Sequence, residues 1–153
     1  MQGPPVKIAP KTSADYLAQI TRAVFEAGLS YAVIDQKWPG FEDAFCDFDP
    51  ETVAGFTNED VERLMRDMRI VRNRRKIMAT IDNAGEMIIA EREFGTFKKY
   101  LRSHGSFEAT VRDLRRRFKF LGDSGAYFFL YVVGEKVPPH DEWMAAHPDR
   151  RPK

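Results

Sequence analysis

The residues of this sequence most able to bind a ligand form a run of eight, which could contact phosphate through both side chains and backbone. The run is mostly basic and consists of Arg69, Ile70, Val71, Arg72, Asn73, Arg74, Arg75 and Lys76. Asn73 is a typical helix-capping residue, and a helix that begins there presents backbone N–H groups to an anion. With the positive charge, this predicts contacts to nucleic-acid phosphates. The alternative is a basic face that contacts only water, which is what runs of charge usually are.

Other residues that could do chemistry do not form a recognisable site. His104, His140 and His147 lack the spacing of metal ligands, and Cys46 is the single cysteine. One cysteine excludes a disulfide within the chain and argues against a cysteine-based zinc site. The sequence therefore predicts no metal and no other cofactor.

Two amphipathic helices must position the basic run. Thr57 followed by Asp60 is a capping-box pattern that predicts the start of the first helix, and Asn73 caps the second. The apolar residues at helical spacing are Val61, Leu64, Met65 and Met68 in the first helix, and Ile77, Ile81, Ala84 and Ile88 in the second. Ile70 and Val71 lie in the turn between the helices. We expect them to enter the core while the arginines point outward.

Further helices are predicted on both sides of this pair. One follows Thr12 or Ser13 and stops at Gly28, and a short one is capped by Ser30 and ended by Pro39. Residues 126–133 are apolar on all sides, which predicts a buried central helix, although a strand also fits their length. No alternating pattern is long enough for a sheet. The sequence predicts an all-α, single-domain helical bundle over residues 12–134, with an irregular arm (1–11) and a proline-rich loop tail (135–153).

Composition agrees with one folded domain. The chain has 153 residues, 43% of them hydrophobic, and its net charge of +1 conceals the local excess of basic residues. No leader segment is recognisable, and the longest apolar run is too short to span a bilayer. We expect a soluble, cytoplasmic monomer that does not bind membranes.

A series of short segments resembles the DNA-3-methyladenine glycosylase I family, of the helix-hairpin-helix glycosylase superfamily. The matching segments include Ala27-Gly28-Leu29-Ser30, Ala44-Phe45, Phe48-Asp49, Val53-Ala54, Glu59-Asp60-Val61-Glu62, Ile70-Val71-Arg72-Asn73, Lys76-Ile77, Asn83-Ala84 and Phe118-Lys119-Phe120. They follow the family's order over most of residues 15–134. The resemblance implies an all-helical fold of the helix-hairpin-helix type, with a base pocket between helices and a hairpin that holds duplex DNA. It also implies base-excision repair of alkylated adenine, with alkylated double-stranded DNA as the partner.

The sequence departs from the family at several positions. The arm has no zinc ligands, and no cysteine follows His140, so the family's zinc site is not expected. The family's acidic residue that recognises the damaged base lies five places before the glycine of Gly28-Leu29-Ser30, where this chain has Ala23. Glu26 lies nearly one helical turn later and would face a similar side. Tyr31 stands where the family has tryptophan and keeps an aromatic face.

These departures leave two classes of function open. A base alkylated at N3 is cationic and leaves readily, so the pocket needs chiefly an aromatic face, worth roughly 0.5–2 kcal/mol, and an acceptor. Tyr31 could supply the face, and Glu26 the acceptor and catalytic charge. Alternatively, Tyr31 is a core aromatic and Glu26 a surface carboxylate. The chain is then either an active glycosylase or a relative that binds or senses damaged DNA without cleaving it. A scaffold that no longer binds DNA is disfavoured by the intact basic run.

Overall fold

The computed structural model describes residues 5–147, and this part of the chain contains helices and no β-strand. The all-α prediction is confirmed. The α-helices are α1 Ser13–Glu26, α2 Tyr31–Ala44, α3 Pro50–Ala54, α4 Asn58–Met65, α5 Arg74–Phe94, α6 Phe97–Leu101, α7 Phe107–Arg117, α8 Asp123–Val132 and α9 His140–Ala146. A 3-10 helix, Cys46–Phe48, joins α2 to α3. Residues 1–4 of the predicted arm and 148–153 of the predicted tail lie outside the described residues.

Local capping groups set the starts of α4 and α5 as the sequence predicts. The N–H of Thr57 donates to the Asp60 carboxylate at 2.8 Å, and the N–H of Asp60 donates to the Thr57 hydroxyl at 3.4 Å. The side-chain oxygen of Asn73 accepts from the N–H of Lys76 at 3.1 Å. These bonds satisfy amides that the first turn of a helix leaves unpaired. They fix both helices of the pair that carries the basic run.

The core is built on α1, which packs against both α5 and α8. Leu17, Ile20 and Val24 form the buried stripe of α1. In α8, every residue from 126 to 130 is buried, with at most 7% of its surface exposed. A segment covered on all sides needs apolar residues at every position, which explains why this stretch lacks helical periodicity. The prediction of a buried central helix is confirmed. Nowhere in residues 5–147 is a helix long and apolar enough to cross a membrane.

The prediction that Pro39 ends its helix is wrong, because α2 continues through this proline to Ala44. A proline inside a helix loses one backbone hydrogen bond, which disfavours the helix locally. Tertiary packing outweighs this loss here. Phe41 and Ala44, both beyond the proline, are buried, and Trp38 stacks on Phe41 with ring centroids 5.4 Å apart.

The inner faces of α4 and α5 also differ in part from the prediction. Met68 is 74% exposed because α4 ends at Met65, so the helical spacing does not extend to it. In α5, Ile77 and Ala84 are buried as predicted, whereas Ile81 and Ile88 are only half-buried. The buried face passes instead through residues that the pattern did not include: Ala79, Thr80, Asn83, Met87 and Ala90.

The prediction that the tail is all loop is wrong, because the tail contains α9. Trp143 of this helix is buried and stacks on Tyr127 of α8, with ring centroids 4.3 Å apart. The Tyr127 hydroxyl donates to the carbonyl of Pro138 at 2.7 Å. Prolines lie on both sides of this seven-residue segment, and they predict an irregular loop. Aromatic stacking against α8 stabilises a short helix there instead.

Candidate functional site

We call α4, residues 66–73 and the first turn of α5 the basic hairpin. Its turn is anchored by Ile70, which is 2% exposed, and by Val71, which is half-buried. Both therefore pack inward, as the sequence predicts. The turn also lies directly on α2: a Cβ added at Gly40 would lie 2.5 Å from the Cβ of Arg69 and 2.8 Å from its carbonyl oxygen. Only a glycine allows this approach, so the basic hairpin packs directly on α2 at Gly40.

The cations of the basic hairpin are not equally available to a ligand. Arg69 pairs with Asp67 at 2.8 Å and with Asp43 of α2 at 2.7 Å. Arg74 pairs with Glu62 of α4 at 2.6 Å. These exposed pairs hold the turn against its neighbours, although each pair is worth little by itself. The expectation that the arginines point outward is correct, but two of them face carboxylates of the protein.

Arg72 and Arg75 are the arginines of the run that keep their charge unpaired. The Arg72 guanidinium is exposed and, within residues 5–147, has no ion pair or hydrogen bond. The Arg75 guanidinium lies over the Phe120 ring, 5.5 Å from its centroid, and has no carboxylate partner in the described part of the chain. The backbone N–H groups of Arg72, Arg74 and Arg75 likewise donate to no acceptor among those residues. Unpaired amides and positive charge at a helix start form an arrangement that suits a phosphate.

Lys76 differs from the other bases because it turns towards the protein. Its ammonium donates to the carbonyl of Ala27 at 2.8 Å, and burial lowers its pKa. Ala27 precedes the turn at Gly28, where φ is +83° and no atom lies within 4 Å of an added Cβ. Lys76 therefore connects the basic hairpin to the open turn between α1 and α2.

That turn separates Glu26, the last residue of α1, from Tyr31, the first of α2. The Glu26 carboxylate accepts from Arg22 at 2.7 Å, and Arg22 also pairs with Asp35. Burial raises the pKa of Glu26, although the bond from Arg22 opposes the rise. Two carboxylates and one guanidinium leave a net negative charge in this acidic cluster of Glu26, Arg22 and Asp35.

Tyr31 lies within the electrostatic reach of the acidic cluster. Burial raises the pKa of its hydroxyl, and the negative charge of Glu26 raises it further, while Arg22 opposes both effects. The Tyr31 ring is half-buried and meets the edge of Phe128 with ring centroids 6.5 Å apart. Glu26 and Tyr31 thus stand at the two ends of the same turn, and the Tyr31 ring approaches α8 through Phe128.

Ala23 lies one turn before Glu26 and faces α8 directly. A Cβ added at Gly125 of α8 would lie 3.6 Å from the Cβ of Ala23. The position therefore lies between two helices, with a methyl group and no polar function. A short side chain here and a glycine opposite let α1 and α8 approach closely.

The Tyr31 ring contacts Phe128, and Phe128 in turn contacts His140; the sequence singles out neither residue as part of this site. Phe128 lay in a uniformly apolar stretch, where nothing distinguishes one residue from its neighbours. The prolines around His140 predict a loop, but this residue begins α9 and its ring centroid lies 5.9 Å from that of Phe128. Both residues come from chain segments far from Tyr31, and only the packing of α8 and α9 identifies them.

The residues of the described chain do not fit the zinc site of the resembled family. Within residues 5–147 no group of three or more histidine, cysteine, aspartate or glutamate side chains could hold a metal ion. Cys46 is exposed in the 3-10 helix after α2, and His140 bonds to Asp141 at 3.1 Å.

Comparison with known proteins gives a consistent result. A family model described as methyladenine glycosylase matches residues 10–117. DNA-3-methyladenine glycosylase 1 of Escherichia coli K12 is 30% identical over 148 residues, which cover 83% of this chain and 79% of the relative. DNA-3-methyladenine glycosylase of Haemophilus influenzae is 25% identical over 130 residues, or 71% of this chain and 70% of the relative.

Solved structures give the same result. The structure that describes 3-methyladenine recognition by 3-methyladenine DNA glycosylase I of Staphylococcus aureus superimposes with a TM-score of 0.76 at 29% identity. The match covers 84% of this chain and 80% of that one. A solution structure of a 3-methyladenine DNA glycosylase I gives a TM-score of 0.69 at 28% identity, over 82% of this chain and 79% of the other. The resemblance seen in the sequence is confirmed.

Proposed function

Because this chain belongs to the methyladenine glycosylase family, we propose that it is a DNA glycosylase that removes 3-methyladenine or a related alkylated base. The observation that carries the proposal is the family match over residues 10–117, together with the basic hairpin inside that range. We expect the protein to act as a cytoplasmic monomer on double-stranded DNA.

In the proposed complex, the basic hairpin holds the DNA by its backbone. Arg72 and Arg75 supply charge, and the unpaired N–H groups of Arg72, Arg74 and Arg75 supply hydrogen bonds to phosphate oxygens. Arg69 and Arg74 instead keep the turn in place through their carboxylate partners. Binding through phosphates does not depend on base sequence, which suits an enzyme that searches for damage.

The proposed base site lies at the turn between α1 and α2. A base extruded from the DNA duplex would contact the Tyr31 ring, which attracts a cationic base. It would also lie near the net negative charge of the acidic cluster. The unpaired cations of the basic hairpin bind phosphates outside this site. Lys76 fixes the distance between the two regions by its bond to Ala27.

The chemical step follows from the charge of the alkylated base. Cleavage of the bond between C1′ and the ring nitrogen sends the electron pair to the base, which leaves as a neutral molecule. The sugar becomes an oxocarbenium ion, to which water adds with loss of a proton. The acidic cluster stabilises the positive charge that develops on the sugar, and Glu26 can also accept the proton from water.

A second candidate function is binding of alkylated DNA without cleavage. Two observations favour it: Ala23 occupies the family's acidic position, and the Glu26 carboxylate already bonds to Arg22. If Arg22 holds Glu26 away from the sugar, the protein would recognise the damaged base but would not hydrolyse its bond.

Methylated duplex DNA distinguishes the two candidates. We expect an excess of protein to release free 3-methyladenine and leave alkali-labile abasic sites, both measured against DNA alone. Tight binding to the methylated duplex with no released base would instead support the second candidate, binding without cleavage. Failure to bind methylated and undamaged duplex alike would contradict both candidates.

A further inference from the structure

Phe120 is an exposed aromatic residue in a strained backbone conformation. It lies in the loop between α7 and α8, its φ is +58°, and its side chain is 43% exposed. Residues other than glycine rarely adopt this left-handed region, and they persist there only when the surrounding structure imposes it. The conformation turns Phe120 outward while Phe118 and Leu121, on either side, stay buried at 2% and 5% exposure.

The surrounding structure imposes this conformation through Asn83 of α5. The Asn83 side chain is 1% exposed and bonds to both polar groups of the Lys119 backbone. It accepts from the Lys119 N–H at 2.8 Å and donates to the Lys119 carbonyl at 3.2 Å. The Lys119 ammonium also pairs with Asp82 at 2.6 Å. The loop is therefore fixed to α5 immediately before the residue that points outward.

Phe120 also lies beside the part of the basic hairpin that keeps unpaired charge. The Arg75 guanidinium is 5.5 Å from the centroid of its ring and has no carboxylate partner within residues 5–147. A large apolar ring is thus held at the edge of the proposed phosphate-binding surface. Side chains of this kind insert between base steps or stack on bases when a protein binds DNA through neighbouring cations.

We propose that Phe120 enters the DNA base stack next to the phosphates that the basic hairpin holds. The ring fills the space that opens when a base leaves the stack, and Arg75 neutralises the adjacent phosphate. This inference rests on the proposed function for its DNA ligand. It adds a contact from the α7–α8 loop, which is outside both the basic hairpin and the base site.

The test compares two duplexes, one undamaged and one with a single tetrahydrofuran abasic analogue opposite 2-aminopurine. Phe120→Ala should bind the abasic duplex about tenfold more weakly, because stacking on one base is lost. Its affinity for the undamaged duplex and its salt dependence should hardly change, since no charge is removed. The change in 2-aminopurine fluorescence that wild type causes should disappear. Ile89→Ala is the matched control, because Ile89 is 48% exposed on α5 but near its other end.

Phe120→Gly separates a DNA contact from a structural role. Glycine adopts positive φ without strain, so this variant should be at least as stable as wild type while it loses the same affinity. Equal binding of the abasic duplex by wild type, Phe120→Ala and Ile89→Ala would overturn the inference and leave the proposed function intact. Failure of wild type to bind either duplex would overturn the proposed function together with the inference.

Discussion

Replacing Gly40 by alanine should destabilise the protein and move the basic hairpin, although alanine is normally the better residue inside a helix. The added Cβ would lie 2.5 Å from the Cβ of Arg69 and 2.8 Å from its carbonyl oxygen. Nonbonded carbon atoms prefer about 3.5–4.0 Å, so the Arg69 backbone must retreat by roughly 1 Å. Overpacking of this kind typically costs about 1–3 kcal/mol.

The same substitution also has a favourable contribution. Alanine exceeds glycine in helix propensity by about 1 kcal/mol, which offsets part of the steric cost. The net loss in the free energy of unfolding should therefore be up to about 2 kcal/mol. Gly85→Ala on α5 is the matched control, because nothing lies within 4 Å of its added Cβ. That variant should be more stable than wild type by about 0.5–1 kcal/mol.

Chemical denaturation measures both free energies, and duplex binding reports the position of the hairpin. Retreat of Arg69 from α2 would strain its bond to Asp43 and the bond from Lys37 to the carbonyl of Met68, which is 3.4 Å long. Gly40→Ala should then weaken duplex binding, whereas Gly85→Ala should not. If Gly40→Ala gained stability as Gly85→Ala does, the basic hairpin would not pack directly on α2 at Gly40.

Two further predictions concern charge. Reversing Arg72 and Arg75 to glutamate should flatten the slope of log K against log salt for duplex binding, because fewer counterions are released; an unchanged slope would remove both residues from the interface. Burial would raise the pKa of Asp113, but bonds from Tyr100, Arg116 and His104 outweigh it and lower the pKa to about 2. Since this lies below the usual value of about 3.9, the stability that Asp113 contributes is present above that value and disappears as pH falls through 2. Asp113→Asn should therefore lose about 2 kcal/mol at neutral pH but much less near pH 2, measured by denaturation, and an equal loss at both pH values would refute this linkage.

The sequence predicted best the features that depend on neighbouring residues. The caps at Thr57 and Asn73 act within one helical turn, so their residue types identify them directly. The prediction that Pro39 ends its helix also depends only on neighbouring residues, and it is wrong. Burial of Phe41 and Ala44 against distant elements outweighs the lost hydrogen bond, and no local pattern contains that information.

The state of individual charges in the site could not be predicted from the sequence. Arg69 and Arg72 look alike in the run, yet Arg69 pairs with Asp43 of α2 whereas the Arg72 guanidinium has no partner in the described residues. The ion pair between Glu26 and Arg22 follows from their spacing of four residues in α1. The second ion pair, between Arg22 and Asp35 of α2, forms only because the turn at Gly28 brings α2 back beside α1. Such contacts depend on how helices meet and not on the composition of either helix.

Whether the acidic cluster is catalytic can be tested by the single-turnover rate of 3-methyladenine release, compared among wild type, Glu26→Gln and Asp35→Asn. Asp35 shares Arg22 with Glu26 but is 63% exposed, so its variant controls for the loss of a charge in the acidic cluster. We predict that wild type releases the base and that Glu26→Gln is slower by about tenfold, or about 1.4 kcal/mol of barrier, with a smaller effect for Asp35→Asn. A fully active Glu26→Gln would show that Glu26 has no role in the reaction. No release by wild type, with methylated duplex still bound tightly, would contradict the assignment as a glycosylase.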